Sequence, residues 1–477
     1  MTLMIFLTIH ASAIIVDVVS MGAKGDGKTV NTVAIQKAID KCHKAGGGKV
    51  LFANGHFVTG TIYLKDNVSL LIERGARILG SKNINDYPSN SLNFRFRHED
   101  WIKQALVFAY KCKNIGIEGD GTIDGQGEFF QIDRKSEPKP HPWKNRPFII
   151  WFSECQNVSV TGVELRNSAM WMQLYLGCDY LKIDGIRVFN HVNENNDMMD
   201  ITGCSNVVVN NVIGSSDDDG ITLKGFSNHI SENITITNCV LSSHCNGIKI
   251  GTETNSPFRN ITISNCVIKK SIFSKPILGR AEGITGISLE SVDGSVVDGV
   301  TINNIIIDGA QVPIFIRLGQ RGYKTCANCP DTPAPGVGAM RNIIISNIIA
   351  RAGAMFGNCI SGIPGANIEK VTLNNIRFIC KGNGTVKHAE AIVPEKINSY
   401  PEGWMFGILP SYGLYLRHVN NIYMSDIIFD LENSDARPAM VFDDVTSARV
   451  NGVYLEGVPS KLYTEIGCSD IKVVGNN

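Results

Sequence analysis

Asn206-Val-Val-Val, Asn233-Ile-Thr-Ile and Asn260-Ile-Thr-Ile follow one another at intervals of 27 residues. Each opens a short run in which apolar, mostly β-branched residues recur at every second position. Such alternation over three to five residues marks strands rather than helices. A recurrence of this length marks a solenoid, in which each unit buries its apolar side only against its neighbours. The pattern extends both ways. Asn157-Val-Ser-Val and Leu181-Lys-Ile-Asp precede it at spacings of 24 and 25 residues. Gly299-Val-Thr-Ile, Asn342-Ile-Ile-Ile, Lys370-Val-Thr-Leu and Asn421-Ile-Tyr-Met follow at longer spacings, which predict loop insertions between turns. Short strands separated by Asn and Gly corners predict an all-β chain wound as a parallel β-helix, its coils about 4.8 Å apart.

Composition fits that reading. Of 477 residues, 43% are hydrophobic and only 19% charged, enough for a long core in one elongated domain over residues 14–477. Basic and acidic residues balance at 45 each, so no nucleic-acid or membrane surface is expected, and a monomer is. Met1 to Ala13 is apolar and ends in Ala-Ser-Ala, which reads as a signal peptide and places the protein outside the cell or in the periplasm. Asn31 to Gly46 has apolar residues at helical spacing; a helix there would cap the open first coil. Thirteen cysteines leave at least one unpaired within the chain. Cys326-Ala-Asn-Cys329 lies in a Pro-rich loop and reads as a local disulfide or a pair of loop thiols. Zinc would need two more ligands nearby, and none is evident. Cys204, Cys239 and Cys266 sit at repeat corners, where buried free thiols are ordinary.

Three polar segments interrupt the repeats: Asn195-Asn196-Asp197-Met198-Met199-Asp200, Ser216-Asp217-Asp218-Asp219-Gly220 and Cys245-Asn246-Gly247-Ile248-Lys249. Asp197 to Asp219 is 22 residues and Asp219 to Asn246 is 27, about one coil each. Stacking therefore aligns Asp197, Asp219 and Asn246 in one row, with Asp218 offset toward the neighbouring face. Asp200, Thr222 and Lys249 form a second, outward row. Two carboxylates one coil apart can hold a water, and a third can meet a leaving oxygen. That division of labour suits an inverting glycosidase, whose acid and base stand about 6.5 to 9.5 Å apart. Crowding should raise at least one carboxyl pKa, keeping an acid protonated near neutral pH. A calcium site feeding a lyase is the rival use of these oxygens. A non-catalytic polysaccharide-binding β-helix is the rival from another class, but a binder has no need to crowd three like charges. His244, close by, reads as a hydrogen-bonded loop histidine.

Further landmarks carry a resemblance. Gly22-Ala-Lys-Gly-Asp-Gly-Lys28 before the helix, Gly119-Asp-Gly-Thr-Ile-Asp-Gly125, Arg146-Pro147 and Asn167-Ser-Ala-Met-Trp171 resemble the polygalacturonases of glycoside hydrolase family 28. That family's signature is Asn-Thr-Asp, Gly-Asp-Asp, Gly-His-Gly and Arg-Ile-Lys. Asn195-Asn196-Asp197 and Asp217-Asp218-Asp219 match the first two motifs. The last two fail: Asn246 stands for the His, and Thr285 and Ile287 for the basic pair. The resemblance implies a right-handed β-helix that hydrolyses α-galacturonosidic bonds in a pectic polysaccharide or oligosaccharide, without metal or cofactor. It implies Asp218 as general acid and Asp197 and Asp219 as bases. Asn196, Asp200, Asn246, Lys249, Arg146 and Trp171 are the expected substrate contacts. Without the basic pair that binds a uronate beside the cut, a neutral neighbour such as rhamnose is expected on the leaving side. Homogalacturonan, cut in exo or endo fashion, is the alternative substrate. Lys249 is the cation placed to restore uronate binding.

Overall fold

The structure, a computed structural model, describes residues 14–132, 143–326, 329 and 332–475. Met1 to Ala13, read as a signal peptide, lies outside them. The described strands join into one continuous sheet, and every registered strand pair is parallel. The chain is a right-handed parallel β-helix. Each coil contributes a strand to each of three walls. Six consecutive strands of one wall position the site: β1 (Gln173–Leu176), β2 (Met199–Thr202), β3 (Ile221–Gly225), β4 (Asn246–Thr254), β5 (Thr285–Ser291) and β6 (Val312–Leu318).

Inward side chains stack in columns of like residues. Ile201, Leu223, Ile250, Leu289 and Ile316 form one on this wall. Val207, Ile234, Ile261, Val300 and Ile343 form another, which is the repeat seen in the sequence. None of these ten is more than 1% exposed. The register holds across the longer spacings, so the extra residues are loops between coils, as predicted.

The Asn that opens each repeat has a conformational reason. Asn206, Asn233 and Asn260 all have φ near +55°, the left-handed region that Asn tolerates better than β-branched residues. Their amides also form a ladder: Asn233 Nδ2 donates to Asn206 Oδ1 at 3.2 Å, and Asn260 Nδ2 to Asn233 Oδ1 at 3.0 Å. Gly299 takes the same corner with φ +79°.

The expected helix, α1 (Thr32–Lys44), buries Ile35, Ala38, Ile39 and Cys42 on the first coil. Cys326 and Cys329 form a disulfide, and Cys204, Cys239 and Cys266 are buried free thiols. No helix among the described residues is long and apolar enough to cross a membrane.

Asn233→Ala should lose about 1 to 2 kcal/mol in urea unfolding, since Ala tolerates the corner poorly and breaks the ladder. Asn233→Gly, at ease with positive φ, should lose less.

Candidate active site

The register aligns the acidic turns as the spacing requires. Met199 pairs with Ile221, so Asp197 lies one coil from Asp219. Ile221 pairs with Ile248, and Asn246 with Thr285, so one row runs Asp197, Asp219, Asn246, Thr285. The second runs Asp200, Thr222, Lys249, Ser288. Both lie on the outer face of the wall, yet Asp197, Asp200 and Asp219 are only 2%, 0% and 4% exposed. Two segments cover the wall on either side. Residues 89–103 lay Phe96, Trp101 and Ile102 over Phe108, Trp151 and Leu174. Residues 389–409 lay Val393, Met405 and Leu409 over Val312, Phe315 and Tyr415.

Like charges packed this closely need cations, and two buried lysines supply them. Lys249 Nζ stands 3.2 Å from Asp219 Oδ2 and 4.0 Å from Glu290 Oε1. Lys224 Nζ stands 3.3 Å from Glu253 Oε2 and 3.6 Å from Asp200 Oδ1. Asp219 Oδ1 also accepts from the Asn246 backbone N–H at 3.2 Å and from Asn246 Nδ2 at 2.7 Å. Asp197 is placed differently. Its Oδ1 has no hydrogen-bond partner, and burial, then the charges of Asp200 and Asp218, push its pKa well up. Burial likewise raises Asp200 well above the usual range, against the pull of Lys224. Burial and the neighbouring charge of Asp219 raise Asp218 to about 6. Asp218 is the offset member, held by the Asp219 N–H at 3.0 Å and Asn195 Nδ2 at 3.4 Å.

Asp217 has another task. Its Oδ1 accepts from the Ile277 N–H at 2.8 Å and meets His244 Nδ1 at 2.8 Å; its Oδ2 accepts from the Leu278 N–H at 2.7 Å. His244 Nε2 meets the Phe273 carbonyl at 2.8 Å, so this buried histidine is satisfied, as read. His191, Asp217 and His244 lie close enough to share a metal ion, but Asp217 and His244 already spend their ligand atoms on this knot.

Several expected contacts do other work. Asn196 Oδ1 accepts from the Val192 and Asn193 N–H groups, and its Nδ2 donates to the Ser168 and Met170 carbonyls. With both ends of the amide engaged, Asn196 braces the turn bearing Asp197 instead of touching sugar. Arg146 is buried too, donating to the Ala169 carbonyl at 2.9 Å, to the Glu194 carbonyl and to Asn195 Oδ1. Trp171 is 6% exposed and stacks on Phe148 within an apolar cluster, with Lys224 Nζ 4.8 Å from its ring centre. It supports Lys224 and is no open platform. Lys249 points to the site as expected, but it is 1% exposed and engaged by Asp219 and Glu290.

Ile287 cannot stand for a basic residue, because it pairs with Ile248 in the core. On β5 the side chains that face outward are those of Thr285, Ser288 and Glu290, whereas Gly286 faces Ile307 in the core. Glu290 was missed by the sequence reading, as were Lys224, Glu253 and Glu402. The strand parity that places Thr222 outward also places Lys224 outward, so that signal was available. Glu402 arrives on a loop without periodicity. Burial raises its pKa to about 8. Its Oε1, Asn246 Oδ1 and Thr285 Oγ1 all lack a hydrogen-bond partner.

The model of glycosyl hydrolases family 28 matches residues 89–393, which contain both acidic turns and all six strands. The chain belongs to this family. An exo-poly-α-D-galacturonosidase of Dickeya chrysanthemi is 37% identical over 130 residues, 26% of this chain and 21% of that protein. An exopolygalacturonase of Zea mays is 28% identical over 209 residues, 42% of this chain and 47% of that one. The chain thus spans less than half the length of either relative. Among solved structures, the exopolygalacturonase of Thermotoga maritima superposes with a TM-score of 0.65 at 18% identity, covering 87% of this chain and 91% of that one. The family 28 exopolygalacturonase of Yersinia enterocolitica gives 0.67 at 20% identity, covering 97% and 79%. At these identities the structures speak for the fold alone.

Burial opposes the charge of Asp217, but hydrogen bonds from His191, His244 and the Ile277 and Leu278 amides outweigh it and hold the carboxyl at about 2. A folded value below the unfolded one stabilises the fold above about pH 4, and that stability is lost as pH falls toward 2. The contribution is about 2 kcal/mol. Acid unfolding should show it: between pH 5 and 2, Asp217→Asn should lose less stability than the wild type.

Proposed function

We propose that this family 28 member hydrolyses an α-galacturonosidic bond in pectin with inversion. The observation that carries the reading is the stack of Asp197 and Asp219 on adjacent coils with Asp218 beside them. Asp218, with a pKa of about 6, gives its proton to the leaving oxygen. Asp219, facing Lys249 and two amide donors, holds the attacking water as base, with Asp197 on the water's other side. The protein acts outside the cytoplasm, where a polymeric substrate is found. No step needs a metal or cofactor.

The leaving side takes a neutral sugar, with rhamnose in rhamnogalacturonan as the natural case. On β5, Ser288 and Glu290 face outward where the family's basic pair is expected, and Glu402 lies over Asn246. A uronate there would meet acids and hydroxyls, whereas sugar hydroxyls match the unpartnered oxygens of Asn246, Thr285 and Glu402.

Asp218→Asn should lower kcat at least about 100-fold with the fold intact, because the leaving oxygen loses its proton donor. In the wild type, kcat/KM should decline as pH rises through about 6, where Asp218 loses its proton. Near-normal turnover by Asp218→Asn refutes the assignment. Loss of activity in chelator that calcium restores, with unsaturated products absorbing in the ultraviolet, would establish a lyase instead.

On matched oligosaccharides, rhamnogalacturonan should give the higher kcat/KM, by about tenfold or more. Faster cleavage of homogalacturonan would contradict the neutral leaving side.

A further inference from the structure

Each of the two buried lysines stands between an aspartate of the preceding coil and a glutamate of the next. Lys224 of β3 lies 3.6 Å from Asp200 Oδ1 and 3.3 Å from Glu253 Oε2. Lys249 of β4 lies 3.2 Å from Asp219 Oδ2 and 4.0 Å from Glu290 Oε1. The second arrangement repeats the first one coil further along the wall. In both, the aspartate belongs to the crowded cluster and the glutamate stands outside it. Glu253 has a further partner in His98, whose Nε2 lies 3.5 Å from its Oε1. The proposed reaction leaves Glu290 without a task.

Glu290 is nevertheless built into the site. It is fully buried, its Oε1 accepts from Ser288 Oγ at 2.7 Å, and its Oε2 has no hydrogen-bond partner. Residue 251 makes room for it: a Cβ there would lie 2.5 Å from Glu290 Oε2, and the position is Gly251. Arg321 also attracts Glu290, but both of its contacts with carboxylate oxygens go to Asp293. A carboxylate held out of water with an oxygen unused is costly unless a neighbouring cation needs it. Lys249 is that cation. Burial opposes its charge, but Asp219 and then Glu290 outweigh burial and hold the lysine well above its ordinary range. Tyr400 and Glu402 face it from the covering loop, and Asp218 acts on it from the acidic turn. Burial keeps the first two neutral at pH 7, Glu402 with a value of about 8.

In the proposed hydrolysis the oxygen of the attacking water joins the anomeric carbon and its proton passes to Asp219. The leaving oxygen departs with the proton of Asp218. Negative charge thereby moves from Asp219, in contact with Lys249, to Asp218 at the offset position. A buried ammonium that loses its contact partner is strongly destabilised. We propose that Glu290 is a positioning residue, the standing counterion that keeps Lys249 charged and in place while Asp219 takes up the proton of the attacking water. By sharing the lysine it also loosens the hold of Lys249 on Asp219, which favours proton uptake. The inference rests on the proposed hydrolysis for the proton step, and the pairing itself is open to test without substrate.

Thermal melts at about pH 7, where Glu402 keeps its proton, supply that test. Glu290→Gln should lower the melting temperature by no more than about 2 °C in the wild type, where Asp219 still faces Lys249, but by at least about 5 °C in Asp219→Asn. Adding Lys249→Met to that double variant should recover most of the loss, because no cation is left unpaired. A double variant that folds only when Lys249→Met is added gives the same answer. Equal losses in the two backgrounds, or no recovery with Lys249→Met, overturn the pairing. In turnover, Glu290→Gln should lower kcat about tenfold with KM within about threefold of the wild type, and Glu290→Asp should restore part of the rate. An unchanged kcat, or a loss confined to KM, overturns the part played in the proton step. If the melts depend on Asp219 as expected while the wild type cleaves no pectic glycoside, the proposed hydrolysis is at fault and Glu290 remains the counterion of Lys249.

Discussion

Two adjacent coils hold Asp197, Asp200 and Asp219 almost out of water, with Asp218 half-buried beside them. Like charges so placed cannot all stay ionised without cations close at hand. The rest of the site follows from that constraint. Lys249 stands against Asp219, and Lys224 stands between Asp200 and Glu253, each buried on the same outer face. Trp171 spends its ring on Lys224, and Asn246 spends its amide on Asp219. The outcome is a division among chemically identical groups. Asp218 is poised at about 6, and burial also pushes Asp197 and Asp200 well above the usual carboxylate range.

The β-helix makes such crowding reproducible. Parallel register fixes each side chain over its counterpart in the next coil, and the apolar columns inside fix the register. A slip of one residue would turn Ile201 and Leu223 outward and bury Asp200 and Thr222 in the core. Catalytic geometry and fold stability are therefore specified by the same alternation. Differences in coil length fall in the corners and loops, which carry Asp218 and Glu402.

Whatever obeys the repeat was legible in the sequence. The coil spacing predicted the wall, the rows of Asp197 with Asp219 and of Asp200 with Lys249, and the corners taken by Asn233 and Asn260. Neighbours from outside the repeat were not legible. Arg146 and Trp171 have residue types common at sugar sites, yet the backbone carbonyls and aromatic rings around them claim their side chains. Asn196 sits in a matching motif but closes a turn. Ile287 was matched to a basic residue without regard to strand parity, which sends it inward. Glu402 reaches the site on a loop whose path no periodicity encodes.

The stereochemistry of the first turnover tests the carboxylate arrangement most directly. Proton NMR of the product, recorded before mutarotation, should show the new reducing end as the β-anomer, since the proposed mechanism has a water between Asp197 and Asp219 attack the face opposite the leaving group. An α-anomer as the first product would mean retention, with a carboxylate acting as nucleophile, and would contradict the proposed roles of Asp197 and Asp219.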